Sequence, residues 1–268
     1  MSYPVKKHGE VISQDTRSLI SKRYKTVTSA VNQMFWGTSS ETSNSLYVGS
    51  YGRGTAIDTS DVDILIDLPQ TEYERYDAQT SNGQSRLLQA LKSALLTPYP
   101  RSNIRADGQV VKIDFSDGMM FEVLPGFRNW DGTYKYPDTN MGGNWLSTNP
   151  KAEQTAMRDK NSNSSSNGLL FDTCMHFRRV HNDYYSSYKL SGIVIDSFVY
   201  TAMAGWKWLN VGETSTSATG DYENILLNYY LQNKTWLDYA LLAPGSNETL
   251  ESNSSLVCLE KVLRYIAE

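Results

Sequence analysis

Two aspartates, Asp61 and Asp63, are separated by one valine in the apolar stretch DVDILIDL, which has the composition of a buried strand. Residues i and i+2 of a strand project from the same face, so the two carboxylates would lie side by side. Carboxylates that close repel each other unless a cation lies between them, and Mg²⁺ takes carboxylate and substrate phosphate oxygens as ligands. The pair therefore indicates metal-dependent chemistry on phosphates. A solvated strand face, which would also carry Asp67, is the alternative interpretation.

A glycine-rich turn, GSYGRGT, precedes the acid pair, and Ser50 lies eleven residues before Asp61. Backbone amides and a serine hydroxyl in such a turn can hold a phosphate, and glycine permits the close approach of the backbone that this requires. The turn is not a P-loop, because it has neither the Gly-Lys-Ser/Thr sequence nor its spacing. Gly49 and Ser50 are therefore candidate phosphate ligands.

A third carboxylate for a metal site would have to come from elsewhere in the chain. The stretch QVVKIDF-SDG-MMFEVLP, residues 109–125, predicts a β-hairpin, with Asp114 on its first strand and Glu122 on its second. Glu122 alternates with Phe121 and Val123, so it points away from its apolar neighbours. Asp114 has similar surroundings, and the residues alone leave the choice open.

The elements that position these residues follow from hydrophobic periodicity and turn signals. Residues 15–35 predict a long amphipathic helix with Asp15 as its N-cap, SLYV and VDILIDL predict strands, and residues 85–96 predict a second helix. The hairpin is expected to end at Pro125, and residues 126–150 read as a loop. After the polar linker 161–168, helices are expected near 169–183, 190–209, 221–232 and 255–267. This layout predicts an α+β fold, with one domain over residues 1–160 and a helical lobe over 161–268.

Composition limits the class of protein. Of 268 residues, 40% are hydrophobic and 20% charged, and the net charge of −4 with a pI near 5.5 argues against an extended basic face for long nucleic acid. Two cysteines and three histidines show no disulfide framework and no zinc-ligand spacing. The sequence opens on no apolar signal segment and contains no membrane-spanning run, so a cytoplasmic protein without membrane contact is expected.

The stretches VGSYGRGTAIDTSDVDILIDL and FEVLPGF resemble the polymerase-β-like nucleotidyltransferases, and more closely the bacterial cyclic-oligonucleotide synthases. These are relatives of the animal cyclic GMP-AMP synthases and oligoadenylate synthases. The resemblance implies a mixed sheet with flanking helices, a C-terminal helical lobe and an active site in the cleft between them. It implies that Asp61, Asp63 and Glu122 bind two Mg²⁺ ions, for which Mn²⁺ could substitute. The third acid of the family is often Asp, so Asp114 stays the alternative to Glu122.

The resemblance also implies binding residues outside the three acids. Gly49 and Ser50 would hold the donor triphosphate, together with Arg179 (or its neighbour Arg178) in MHFRRVHND and Ser191 in KLSGIVIDSF. The alternatives are a solvated helix face for the arginines and a helix N-cap for Ser191. Asn149 is the candidate for base selection, since an amide offers both a donor and an acceptor. Aromatic residues of the region 126–150 could stack on bases or serve only in packing: Trp130, Tyr134, Tyr136 and Trp145.

The activity that the resemblance implies is the joining of nucleoside triphosphates into a cyclic di- or trinucleotide second messenger with release of pyrophosphate. Anti-phage signalling is the implied role in bacteria, with the product binding a separate effector protein. A monomer that needs no long nucleic acid is expected. The alternative functions are a linear oligonucleotide synthase, or a nucleotidyltransferase that modifies a small molecule, RNA or protein.

Overall fold

The computed structural model describes residues 3–268, and the chain divides into two compact units. The first, here called the sheet unit, comprises Ile12–Gly52 and Thr59–Pro150. The second, the helical unit, comprises Arg53–Asp58, Lys151–Glu268 and the described N-terminal residues 3–11. These limits differ from the predicted boundary at residue 160, because residues 151–160 and two short segments, 3–11 and 53–58, group with the helices.

A seven-stranded mixed sheet forms the sheet unit, with the order β1-β2-β5-β4-β3, and with β6 pairing to both β5 and β7. β2 and β5 are parallel, and the other neighbours are antiparallel. The strands are β1 Ser45–Tyr47, β2 Val62–Asp67, β3 Asn103–Asp107, β4 Val110–Asp114, β5 Met120–Arg128, β6 Tyr134–Asp138 and β7 Asn144–Thr148. The helices of this part of the chain are α1 Gln14–Phe35, α2 Gly49–Arg53, α3 Gln70–Asp77 and α4 Gly83–Leu96.

The two faces of the sheet differ in polarity because the side chains of each strand alternate. Ile64 and Ile66 of β2 and Phe121 and Val123 of β5 are fully buried in the main core of this unit. Residues of α1 and α4, including Val27 and the leucines of α4, belong to the same core. The alternate residues of β2 and β5 therefore lie on the opposite face, which is where the candidate acids occur.

Helix α1 begins at Gln14, two residues before the start that an N-cap at Asp15 predicts. Its N-cap is Ser13, whose hydroxyl accepts a hydrogen bond from the amide of Thr16 at 3.1 Å. Asp15, which was expected to cap the helix, instead lies inside the first turn, where a negative charge is favourable near the helix N-terminus. The prediction of the cap was therefore wrong by two residues.

The predicted end of the hairpin at Pro125 was also wrong, since β5 continues to Arg128. The register of β4 against β5 ends at Val123, and the amide of Leu68 donates to the carbonyl of Gly126 at 2.8 Å. Backbone groups of successive strand residues point to opposite edges of the strand. Because Gly126 faces β2, the nitrogen of Pro125 faces the β4 edge, where β4 has already ended. The missing N–H therefore breaks no ladder hydrogen bond.

The region 126–150 contains β6 and β7 rather than only loop. These strands are short, and they include Pro137 and several polar residues, which explains why composition indicated a loop. Tyr134 of β6 is buried with Val48 and Leu65 in a small separate cluster.

Five helices form the helical unit: α5 Pro150–Asn161, whose first residue belongs to the sheet unit, α6 Leu169–Tyr184, α7 Gly192–Ala202, α8 Asp221–Ala240 and α9 Asn253–Ala267. A core that includes Phe177, Phe198, Tyr230 and Leu259 joins α6, α7, α8 and α9. The predicted helix 190–209 is shorter than expected, because Ala204 takes a left-handed conformation with φ +48°. Residues 161–168 connect α5 to α6 within this unit rather than separating two domains.

Among residues 3–268, no helix combines the length and the apolar character that a membrane crossing requires.

Candidate active site

Asp63 and Glu122 are direct partners across the parallel strands β2 and β5. Register partners of neighbouring strands share a face, so these side chains, 59 residues apart in sequence, lie side by side. Asp61 precedes the first residue of β2 and keeps contact with solvent. Protein atoms nonetheless displace enough water from its carboxyl group to raise the pKa of Asp61, and the charge of Glu122 raises this pKa further. Glu122 therefore stands beside Asp63 and acts electrostatically on Asp61 at one end of β2.

The Gly-Ser motif packs directly against this acid cluster. Gly49 begins the short helix α2 with φ +58°, and a Cβ atom added to it would lie 1.8 Å from Oδ2 of Asp63. The amide of Val48 donates to the carbonyl oxygen of Asp63 at 2.9 Å, which ties the motif to β2. The glycine is thus required both by its backbone conformation and by the neighbouring carboxylate. Ser50 follows it as the second residue of the helix.

Glu122 has a cationic partner on the adjacent strand. Lys112 of β4 lies opposite Glu122 in the antiparallel register, and its Nζ is 3.0 Å from Oε1 of Glu122 and 3.0 Å from Oδ2 of Asp107. The hydrogen bonds to Glu122 and to Asp107 raise the pKa of Lys112, so the ammonium group stays charged at neutral pH. Sequence reasoning missed Lys112. The pattern that could have revealed this residue is the alternation VVKID, which places Lys112 and Asp114 on one strand face.

Asp114, the alternative third acid, is engaged elsewhere on the same face. Its Oδ2 accepts a hydrogen bond from Nδ2 of Asn103 at 2.7 Å and forms an ion pair with Arg105. Its Oδ1 is buried and has no hydrogen-bond partner. Asp114 also contributes to the raised pKa of Asp61, though less than Glu122 does. The register beside Asp63 favours Glu122, while the unpaired Oδ1 keeps Asp114 as the alternative ligand.

The donor chemistry of the site suits a hard divalent cation, because the three acids offer only carboxylate oxygens. Over residues 3–268, however, no group of three or more His, Cys, Asp or Glu side chains is arranged as a ready-made metal site. One of the three carboxylates, that of Glu122, is paired with Lys112 through its Oε1 atom. The acids therefore fit a metal in type, and a metal at Glu122 would share this carboxylate with Lys112 or displace the lysine.

Of the two candidate arginines in α6, Arg179 is accessible to a ligand and Arg178 is not. Arg178 is buried and donates to Oδ1 of Asp196 at 2.7 Å and to Oδ2 at 3.0 Å. The guanidinium group of Arg179 is partly exposed and lies 3.5 Å from Asp58. The alternative interpretation, a solvated helix face, fits neither arginine fully. Arg178 packs inward against Asp196, and Arg179 pairs with an acid at the surface.

Ser191 is the N-cap residue of α7, as the alternative interpretation proposed, but its hydroxyl makes no capping hydrogen bond. Its amide donates to Oγ of Ser255 at 3.0 Å, which fixes the backbone at this point. Asn149 lies between β7 and α5 and is partly buried.

The four aromatic candidates for base stacking differ in accessibility. Trp130 is almost fully exposed, whereas Tyr134 is 2% exposed and therefore belongs to the packing of the sheet unit. Trp145 contacts the rings of Tyr73 and Phe127 and donates from its indole nitrogen to Asp77 at 2.8 Å. Stacking on a base was the wrong interpretation for Tyr134, because its ring is covered by the protein itself.

The helical unit contains a buried ionic network that sequence reasoning missed. It includes Arg53 and Thr55, which come shortly after the Gly-Ser motif in the sequence. Asp196 of α7 is fully buried and accepts from Nε of Arg53 at 2.8 Å and from Thr55 at 3.0 Å, while Arg53 also pairs with Glu153 at 2.9 Å. Burial acts to raise the pKa of Asp196, but Arg178 and Arg53 outweigh it and hold this pKa below its usual value. A single acid inside the apolar stretch GIVIDSFV was the signal that could have revealed the network.

The mixed sheet with its flanking helices and the helical C-terminal part form the α+β layout that the sequence predicted, with the candidate acids at one end of β2. The family model described as the Second Messenger Oligonucleotide or Dinucleotide Synthetase (SMODS) domain matches residues 10–161. This match spans more than half of the chain, and the chain belongs to that family. It is accordingly a nucleotidyltransferase that makes a nucleotide second messenger, of a family that uses divalent metals.

Solved structures confirm the fold. The STING-associated CdnE c-di-GMP synthase of Capnocytophaga granulosa matches with a TM-score of 0.64 and 14% identity, over 93% of this chain and 79% of that one. The CdnE cyclic dinucleotide synthase of Elizabethkingia meningoseptica, solved with GTP and Apcpp, matches with a TM-score of 0.61 and 14% identity, over 99% and 96% of the two chains. Vibrio cholerae DncV cyclic AMP-GMP synthase matches with a TM-score of 0.53 and 13% identity, over 82% and 62%. No curated protein sequence matches the chain.

Proposed function

We propose that this chain joins nucleoside triphosphates into a cyclic di- or trinucleotide second messenger and releases pyrophosphate with each bond. The observation that carries the proposal is the direct register of Asp63 with Glu122, beside Asp61, in a chain of the second-messenger synthetase family. Two structurally similar synthases, which make c-di-GMP and cyclic AMP-GMP, support a cyclic product here.

In each step the 2′- or 3′-hydroxyl oxygen of the acceptor attacks the α-phosphorus of the donor. The bond from this phosphorus to the oxygen that bridges to the β-phosphate breaks, pyrophosphate leaves, and the hydroxyl proton passes to solvent. Asp61, Asp63 and Glu122 would hold two Mg²⁺ ions, with Mn²⁺ as a substitute and Asp114 as the alternative third ligand. When bound, these ions lower the pKa of the acceptor hydroxyl and offset the charge of the leaving pyrophosphate.

The remaining binding roles rest on the family resemblance and on side-chain accessibility. Gly49 and Ser50 hold the donor phosphates through backbone amides and a hydroxyl group. Arg179 and Ser191 of the helical unit donate to the same triphosphate, which the partial exposure of Arg179 and the absence of a capping bond from Ser191 support. Asn149 contacts a base.

The setting of this activity is bacterial anti-phage signalling, in which the product binds a separate effector protein. The enzyme works in the cytoplasm as a monomer and needs no long nucleic acid. The acidic net charge of −4 supports the last point, since a nucleic-acid activator would require an extended basic surface.

Replacement of both metal-binding aspartates tests the function. The double variant Asp61→Asn with Asp63→Asn should abolish product formation from the four nucleoside triphosphates and Mg²⁺ while leaving the thermal unfolding curve cooperative. Asp67→Asn is the matched control, because Asp67 lies on the same face at the far end of β2 and accepts a hydrogen bond from the Arg128 amide. Synthesis at the normal rate by the double variant would refute the assignment.

The form of the product separates the proposal from its alternatives. Products are treated with phosphatase and resolved by mass: a cyclic product has no terminal phosphate to lose, whereas a linear oligonucleotide does. Exclusively linear products, or label transferred only to an added RNA, protein or small molecule, would favour the other nucleotidyltransferase functions. In the same assay, Asn149→Ser should change which nucleotide is preferred, and an unchanged preference would remove Asn149 from base selection.

A further inference from the structure

Lys112 is a cationic residue on the acidic face of the sheet, and it contacts the predicted metal ligand Glu122. Its Nζ is 3.0 Å from Oε1 of Glu122, and the two side chains are similarly covered, at 23% and 25% exposure. This ammonium group is therefore in direct contact with a predicted metal ligand.

A second acid is already in place for this lysine. Asp107, near the end of β3, lies 3.0 Å from Lys112 Nζ and is 56% exposed. If Glu122 turns toward a metal, Lys112 keeps an ionic partner without moving far. The triplet Glu122, Lys112 and Asp107 can thus release Glu122 without leaving a partly buried ammonium group unpaired.

We propose that Lys112 is a positioning residue that holds Glu122 in the absence of metal and thereby sets the metal affinity of the site. This inference rests on the proposed function, since it takes Glu122 as a ligand. A divalent cation at Glu122 would compete with the ammonium group for the charge of this carboxylate, and the ammonium charge 3.0 Å from Oε1 is close enough to repel the cation.

Removal of Lys112 and removal of its partner Asp107 should have opposite effects on metal binding. Removal of the ammonium group frees Glu122 and removes the repulsion, so it strengthens metal binding. Removal of the Asp107 carboxylate leaves Glu122 as the acid on which Lys112 depends, so it weakens metal binding. A purely structural role for the ion pair would give no such opposition.

The test is Mn²⁺ binding to the full chain without nucleotide, followed by the electron paramagnetic resonance signal of free Mn²⁺. Lys112→Met should bind Mn²⁺ about fivefold more tightly than the unmodified chain, and Asp107→Asn should bind it more weakly. Lys112→Arg, which keeps the charge, should bind like the unmodified chain. Lys25→Met, at an exposed position of α1, is the control for loss of one positive charge elsewhere and should leave the affinity unchanged.

Equal or weaker Mn²⁺ binding by Lys112→Met would overturn the inference, as would tighter binding by Lys112→Arg to the same degree as Lys112→Met. The double variant Asp61→Asn with Asp63→Asn distinguishes this failure from failure of the proposed function. Loss of Mn²⁺ binding in that variant shows that the acids hold the metal whatever Lys112 does. Undiminished Mn²⁺ binding in that variant would instead refute the metal site itself.

Discussion

Gly49 lies directly against the carboxylate of Asp63, so closely that a Cβ atom on the glycine would be 1.8 Å from Oδ2 of the aspartate. Gly49 also has φ +58°, a conformation that residues with a side chain rarely adopt. The first residue of the predicted phosphate-binding motif and a predicted metal ligand are therefore fixed by the same contact. A change at either residue is expected to disturb the other.

Gly49→Ala should reduce the rate of product formation by about 100-fold or more, because displacing a catalytic carboxylate by about 1 Å is enough for such a loss. The left-handed backbone should cost about 1–2 kcal/mol of unfolding free energy. Gly37→Ala is the control, since Gly37 has a similar φ of +64° and nothing within 4 Å of the added Cβ. The control should lose comparable stability and keep its activity. Equal activity of the two variants would show that the contact with Asp63 does not matter.

Glu122→Gln should lower the rate by about 100-fold or more, since an amide is a much poorer ligand for Mg²⁺ than a carboxylate. Asp114→Asn should leave the rate near that of the unmodified chain, because Oδ2 of Asp114 already serves Asn103 and Arg105. Initial rates at saturating Mg²⁺ measure both. The reverse order of the two effects would transfer the third ligand from Glu122 to Asp114.

Asp196→Asn should lower the free energy of unfolding by about 3–5 kcal/mol, because the change leaves the buried guanidinium groups of Arg53 and Arg178 without their shared anion. Asp58→Asn removes a more exposed partner of Arg179 and should cost less than about 1 kcal/mol. Chemical denaturation of both variants gives the comparison. Similar losses in the two variants would mean that burial of the network contributes little.

The buried ring of His176 should make the free energy of unfolding depend on pH. Its Nε2 lies 3.0 Å from the carbonyl oxygen of Tyr3 and must donate, so the neutral ring accepts at Nδ1 from Nε2 of His8 at 3.2 Å. Burial, with the neighbouring His8, lowers the pKa of His176 from 6.5 to about 4, against the hydrogen bond to Tyr3. Between these values the unfolded chain binds a proton that the folded chain excludes. The free energy of unfolding should therefore fall as the pH falls from about 6.5 to 4, by up to about 1.4 kcal/mol per pH unit.

Denaturation at a series of pH values checks this dependence. His176→Gln should flatten the decline below pH 6.5, whereas His181→Gln, on the same helix but partly exposed, should leave the decline unchanged. A decline of the same steepness in the His176 variant would assign the acid sensitivity to other groups.

Local patterns predicted much of the fold and of the site. The alternation in DVDILIDL places Asp63 and Asp67 on one face of β2, and the hairpin with Glu122 on its second strand is present. The strands β6 and β7 and the continuation of β5 through Pro125 were not predictable, because they depend on where neighbouring strands begin and end. The inward orientation of Arg178 was not predictable either, since adjacent positions of a helix look alike in sequence and only the buried Asp196 decides between them.

By itself, the sequence determined the types of the acids, their two-residue spacing and the glycine-serine motif, because a strand and a tight turn impose their geometry over a few residues. Only the tertiary structure decided which distant acid stands beside Asp63, since strand register is set by packing across the whole sheet. It also decided that Lys112 would hold Glu122. A single-residue slip of β5 against β2 would have turned Glu122 toward the core and left Asp63 without its neighbour.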